Sequence, residues 1–419
     1  MTAAIYYHPE AYTNSNPKLM GRNAAGQSFL KGFFLHSAAT EFWTQTQSKE
    51  HFEQFAATAK ENGRAEKIRA LNRVSLDQLA KPGAIYYPGP GIGEQAFLRS
   101  HFGHSAWSIC GITHTTSSAR AMDSIVNILT SPVYPWDALI CTSHAVKNNV
   151  SKILQAQADF LKDRLGISKL VLPEMPVIPL GVHAKEFAYS PLAKTKARES
   201  LGIAPETLVV LFAGRLSFHA KAHPLAMYQA IQKASNTTGK KITLVECGWF
   251  ANEFIEKAFS QAAKVAAPNV GLISLDGRDG DLRNAAWACA DVFCSLSDNI
   301  QETFGITPVE AMAAGIPVVV SDWDGYKDTI QDGVQGFRIP TLMPYAGFGR
   351  DLALRHALEM DTYDQYCGNS CALIAVDVGA LMASSNSPTH GHPKFPQAAR
   401  SDYDGSALIA MRAAASLSL

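Results

Sequence analysis

The chain has 419 residues, 47% of them hydrophobic and 18% charged, a globular balance that excludes wholesale disorder at a length sufficient for two or three domains. Lys and Arg total 37 and Asp and Glu total 37, so no global basic field exists for non-specific nucleic-acid binding, and no nucleic-acid partner is expected. No apolar run approaches the roughly 18 residues of a membrane-spanning helix, and seven scattered cysteines read as reduced thiols in a cytoplasmic protein.

In chain order, the N-terminus enters a strand pattern at 3–7 without a charged leader, so a secretory route is not expected. Further strands are predicted at 84–87, 107–113 and 138–142 from β-branched and aromatic runs. Residues 1–180 hold 17 basic and 13 acidic side chains, a small excess that permits peripheral contact with the anionic inner face of a membrane. Pro173, Pro176 and Pro179 punctuate the chain before Gly181 and suit an interdomain connection, which places domains at 1–180 and 181–381. Beyond the break, strands are predicted at 208–213, 242–246, 271–275, 292–296 and 316–321. Helices are predicted between them at 224–234, 252–266, 281–290 and 308–314. That beat is the pattern of a doubly wound α/β domain. From Met382 the text turns Ala-, Ser-, His- and Pro-biased and periodicity stops abruptly, so 382–419 is expected to be an irregular or otherwise altered tail.

The most informative segment runs from Glu302 through Thr303, Phe304, Gly305, Ile306, Thr307, Pro308 and Val309 to Glu310. It reads as a loop, a short helix and then a buried strand. Thr307 is placed to cap the helix, Pro308 to open it and Glu310 to complete a Thr-x-x-Glu capping box. Gly305 leaves bare backbone before the helix, whose first amides form an anion site. On local chemistry alone, Glu310 is explained equally well as a plain helix cap.

Seven residues separate Glu302 from Glu310, and the whole stretch closely resembles the Glu-x7-Glu signature of the family-4 retaining glycosyltransferases. Around it, Ala290-Asp291-Val292, then Phe212-Ala213-Gly214-Arg215-Leu216 with Lys221, and Ile178-Pro179-Leu180-Gly181-Val182 with Phe187 resemble that family's other elements. The resemblance is continuous over 170–340 and thinner before it. It implies the GT-B architecture: two Rossmann-like doubly wound α/β domains facing across a cleft, the first on the acceptor side and the second holding a nucleotide-sugar. The implied activity is metal-independent, retaining transfer of a hexosyl unit from a nucleotide-diphosphate sugar to a hydroxyl acceptor (a glycan, a lipid-linked acceptor or a small molecule), with no cofactor.

Roles carry over by position. Arg215 and Lys221 would neutralise the donor diphosphate, where leaving-group charge develops. Gly305, Ile306 and Thr307 would offer backbone amides, Glu302 would hold donor-sugar hydroxyls and Glu310 the ribose. His114, after Gly111-Ile112-Thr113, resembles the family's cleft histidine that touches the sugar. Met20 to Leu30 resembles its first glycine loop, opening a helix near the phosphates, with Gly26 as a donor-binding position. His144 is left without a role.

Two look-alikes are set aside. Asp322-Trp323-Asp324 mimics an Asp-x-Asp metal motif but follows the strand after the signature, where this family has a glycine loop. Asp276 to Asp281 lacks calcium-loop spacing and reads as a turn with a helix cap. Cys367 and Cys371 have no second pair nearby, so zinc is not expected there. Departures from the pattern are the polar run Ser297-Asp298-Asn299-Ile300-Gln301, His183 in place of an acidic residue, and an insertion-like stretch at 341–372. The rival readings are a nucleotide-sugar epimerase or glycan phosphorylase on the same fold, and a non-catalytic nucleotide-sugar binder. A nicotinamide oxidoreductase is disfavoured because no strand is followed by Gly-x-Gly-x-x-Gly.

Overall fold

A computed structural model describes residues 3–13 and 21–378. Met20 and the expected tail at 382–419 lie outside the described residues. The chain divides into two compact units between His183 and Ala184.

The first unit is built on β1 (Ala4–Tyr6), β2 (Glu41–Gln45), β3 (Lys67–Leu71), β4 (Ala84–Tyr86), β5 (Ser108–Thr113) and β6 (Ala138–Cys141). They lie in the order β3-β2-β1-β4-β5-β6, and every neighbouring pair is parallel. β2 and β3 are absent from the sequence prediction. In β2 only Phe42 and Trp43 are large and apolar, between Glu41 and Thr44-Gln45; β3 is an edge strand with mostly exposed side chains, so its Lys-Ile-Arg-Ala-Leu text lacks a buried run. Tyr7, Phe34, Phe42 and Phe55 form a buried core of edge-to-face rings on one side of the sheet.

The second unit contains β7 (Leu208–Ala213), β8 (Ile242–Gly248), β9 (Gly271–Asp276), β10 (Val292–Ser295), β11 (Val318–Ser321) and β12 (Gly336–Ile339). Their order is β12-β11-β10-β7-β8-β9, again parallel throughout. All six residues of β7 are buried, because helices cover both faces of such a sheet and strand text becomes continuously apolar. The two units therefore repeat one strand order, the doubly wound Rossmann pattern expected from the sequence. In each, the order reverses between the central strands, β1 with β4 and β7 with β10. Ligand crevices open outside the carboxyl ends of strands at such reversals. The insertion-like stretch is ordered: helices Arg350–Ala357 and Tyr363–Cys371 lie within it, and Thr341–Leu342 pairs antiparallel with Ala375–Val376.

The amino ends of the strands are tied differently. Asp137, just before β6, takes both forks of Arg99 at 2.5 and 2.9 Å and accepts the amides of Ile109 and Tyr134; both side chains are fully buried. Asp291, just before β10, takes Arg198 at 2.5 Å, Lys194 at 2.7 Å and the amide of Val209 in β7. Each unit thus staples its strand starts with one aspartate and leaves the carboxyl ends to loops.

Candidate functional site

The loop after β7 carries Arg215 and Lys221, and the loop after β10 carries Glu302, so all three stand at the reversal point of the second sheet. The loop after β7 winds back on itself, with the Lys221 amide donating to the Ser217 carbonyl and Arg215 Nη2 to the Ala220 carbonyl at 3.0 Å. The polar run before Glu302 holds this loop in place. Ser297 Oγ donates to the Lys221 carbonyl, Asn299 Nδ2 donates to the His219 carbonyl at 2.6 Å, and the Asp298 carboxylate accepts the His223 amide. Its departure from the usual sequence pattern is therefore structural, a set of acceptors and donors matched to the loop beside it.

Lys221 Nζ meets Glu302 Oε2 at 2.5 Å, with side-chain exposures of only 17% and 10%. Tyr326 Oη reaches the same carboxylate oxygen at 3.4 Å and bonds Ser295 Oγ at 2.9 Å. Burial opposes charge on both partners, but their attraction and hydrogen bond outweigh it: Lys221 is held above the usual ammonium range and Glu302 below the usual carboxylate range. Burial lowers the affinity of Arg215 for its proton, and the carboxylates of Asp364 and Glu302 oppose that change; a guanidinium stays charged regardless.

Gly305 has φ +78° and caps the helix Ile306–Ala313. A Cβ there would overlap the Tyr326 ring, so the position requires glycine both for its left-handed backbone and for space. The predicted capping box does not form. The helix starts at Ile306, two residues before the start that a Thr307 cap requires, so Pro308 falls third in the helix rather than first, and Thr307 Oγ1 is buried without a hydrogen-bond partner. Gly305, Ile306 and Thr307 form the start of the helix, where amides lack intrahelical partners.

Glu310, freed from the capping role, is pushed up to about 7 by burial, with Arg283 and Lys221 pulling the other way. An acid raised in the fold binds more protons folded than unfolded across that interval. Its stability contribution is therefore present at low pH and lost as pH rises from the unfolded value near 4.3 through about 7. The stability of Glu310→Gln relative to the wild type is expected to rise by about 2 kcal/mol between pH 5 and pH 8. Urea unfolding at both pH values checks this, and equal differences at the two would remove the assignment.

Not all candidates assemble here. Arg215, Lys221, Glu302, Gly305, Ile306, Thr307 and Glu310 belong to the second unit, whereas His114 and Gly26 belong to the first. His114 follows the carboxyl end of β5 and is pushed down to about 4 by burial, helped by Arg22, so it is neutral at physiological pH. Gly26 lies inside the helix Gly21–His36 rather than on the expected loop, and a Cβ there would overlap the carbonyl of Ala11. The glycine is needed for the packing of that helix on Pro9–Tyr12. Asp279 caps Gly280–Cys289, and Arg278 pairs with Asp276, the turn and cap expected there. Among the described residues, no three His, Cys, Asp or Glu side chains converge to hold a metal ion, and no helix is long and apolar enough to cross a membrane.

Sequence reasoning missed Tyr326 and the helix Tyr363–Cys371. The latter closes on the site from the insertion-like stretch: Asp364 lies 3.7 Å from His219, and the buried Cys367 and Cys371 thiols accept from Gln301 and Asn299. No periodicity signals such contacts, which span more than 60 residues of chain.

Residues 193–342 match the family described as glycosyl transferases group 1. A lipopolysaccharide 1,2-N-acetylglucosaminetransferase of Salmonella typhimurium is 29% identical over 175 residues, covering 41% of this chain and 44% of that protein. A phosphatidyl-myo-inositol mannosyltransferase of Mycolicibacterium smegmatis is 31% identical over 163 residues, 39% and 38% of the two chains. The chain thus spans less than half the length of these curated relatives. Among solved structures, HepE of Anabaena in complex with UDP superposes with a TM-score of 0.56 at 16% identity, over 89% of this chain and 94% of that one. A lipopolysaccharide outer core galactosyltransferase in apo form gives 0.51 at 15% identity, over 89% and 95%. The fold is GT-B, and the chain is related to glycosyltransferases.

Proposed function

We propose that this protein is a retaining glycosyltransferase that moves a hexosyl unit from a nucleotide-diphosphate sugar to a hydroxyl acceptor without a metal. The observation that carries the reading is the buried Lys221–Glu302 pair beside Arg215, at the sheet reversal of a unit matched by the glycosyl transferases group 1. Two cationic groups supply the charge that a departing diphosphate needs, and a carboxylate kept ionised accepts hydrogen bonds from sugar hydroxyls. Ionised Glu310 would accept from the ribose.

In the proposed step the bond from the sugar C1 to the diphosphate oxygen breaks, and the bond from C1 to the acceptor oxygen forms on the same face. The acceptor proton passes to the departing phosphate oxygen. The protein contributes position and charge rather than a covalent nucleophile.

UDP-glucose is the first donor to test, since a neighbouring fold with a TM-score of 0.53 is described in complex with it; guanosine and adenosine donors follow. The expected result is a product with the donor's anomeric configuration, formed in the presence of a chelator. An inverted product would overturn the retaining step, phosphate dependence would indicate a phosphorylase, and donor isomerisation without acceptor an epimerase. Arg215→Ala is expected to lower turnover about 100- to 1,000-fold with little change in melting temperature, because its hydrogen bond inside the fold is to one loop carbonyl. Unchanged turnover would remove Arg215 from the diphosphate.

A further inference from the structure

Asp324 has an unusual position that the Asp-x-Asp look-alike does not explain. It follows β11 in the turn leading to Tyr326, with φ +42°, one of two non-glycine residues in the left-handed region among those described. Such backbone costs free energy and persists where the surroundings over-determine it. The surroundings here are tight. A Cβ on the next residue, Gly325, would overlap the Thr303 carbonyl and Phe304 Cα, so the turn lies directly against the signature loop. Trp323 Nε1 donates to the Asn299 carbonyl at 3.0 Å, and Tyr326 reaches Glu302.

Within this clamp, Asp324 Oδ1 is shut from solvent and has no hydrogen-bond partner. Its neighbour Asp322 also has a buried Oδ1 without a hydrogen bond, but that oxygen lies 3.5 Å from the Arg338 guanidinium, a counter-charge that Asp324 Oδ1 lacks among the ion pairs of the described residues. A strained, buried carboxyl oxygen without a partner is costly to maintain unless something completes it.

We infer that Asp324 is a specificity-determining residue of the donor site, its carboxyl group holding a hydroxyl of the transferred sugar beside Glu302. The inference rests on the donor reading of the site given above. The two carboxyls offer different chemistry. Glu302, ionised by Lys221, only accepts. Burial, then the charge of Glu302, push Asp324 up to about 7, with Asp328 adding to this and Lys327 and the Gly325 amide opposing it. Near neutral pH its protonated form donates to a hydroxyl while its ionised form accepts from one. An acceptor-only group next to one that can donate discriminates hydroxyl orientation on a hexose ring, because a misplaced hydroxyl leaves a buried partner unpaired.

The test uses Asp324→Gly and Asp324→Asn in the full chain. Glycine removes the carboxyl and relieves the left-handed backbone, so Asp324→Gly should melt at or above the wild-type temperature. Calorimetry against UDP, GDP and ADP identifies the nucleotide, and titrations with its glucose and galactose conjugates follow. Nucleoside diphosphate affinity should stay within about twofold, and affinity for the preferred sugar conjugate should fall about tenfold or more, with loss of the preference between the two epimers. Asp324→Asn, which keeps a donor and an acceptor, should retain part of the affinity with an altered preference. If both variants bind the sugar conjugates with wild-type affinity and preference, the inference is overturned while the donor site stands. If the wild type binds none of the nucleotides, the donor reading falls, and this assignment with it.

Discussion

Lys221→Ala is expected to abolish transfer and to destabilise the fold by about 3 kcal/mol at pH 8, since removing one member of a buried pair leaves the other charge uncompensated. In the wild type, Glu302 has a depressed affinity for protons. Its contribution is therefore present above the unfolded value and lost as pH falls through the folded one. Without Lys221, burial, the largest influence on Glu302, is opposed only by the Thr303 amide and the Tyr326 hydroxyl and is expected to raise it, so the variant loses stability as pH rises instead. The gap between variant and wild type should widen from pH 5 to pH 8 in urea unfolding. Lys221→Met with Glu302→Gln should recover most of the stability and none of the transfer. A penalty that is the same at both pH values would show that Lys221 acts through packing of its stem and not through its charge.

The second large effect falls far from the chemistry. Asp137→Ala is expected to cost about 3–5 kcal/mol, because Arg99 is left fully buried and charged. Two further donors, the amides of Ile109 and Tyr134, lose their acceptor as well. Compensation should fail here. Arg99→Met added to Asp137→Ala removes the stranded charge but leaves both amides unpaired, so the double variant should recover only part of the loss. Full recovery in denaturant titrations would mean that the ion pair alone, and not the strand-start amides, depends on Asp137.

The second sheet was largely legible because β7, β10 and β11 are buried on both faces, which forces runs such as Leu-Val-Val-Leu-Phe-Ala into the text. β2 and β3 were not, since their polar and edge positions break the run. Glycines were ambiguous for a physical reason. Gly305 and Gly26 both let another group approach closely, but only the former lies at a helix entrance. The candidate site was legible where the chemistry is local: Glu302 and Glu310 flank one loop and helix. What holds that loop was not, because Asn299 meets His219 across 80 residues and Cys371 across 72, and no spacing rule reaches that far. The capping box misled because the left-handed Gly305 already turns the chain into the helix, making a side-chain cap at Thr307 unnecessary.

The aspartates at the strand starts have a consequence for how such a chain can change over generations. Asp137 and Asp291 anchor the ends of each sheet that bear no chemistry, and loops at the opposite ends contribute few of those ties. Substitutions that retune recognition therefore draw on a different set of contacts from those that keep the chain folded. A lineage built this way can change what it binds through loop replacement, and loop grafting between relatives should yield folded chimaeras more often than exchange of the helices that carry Arg99 and Arg198.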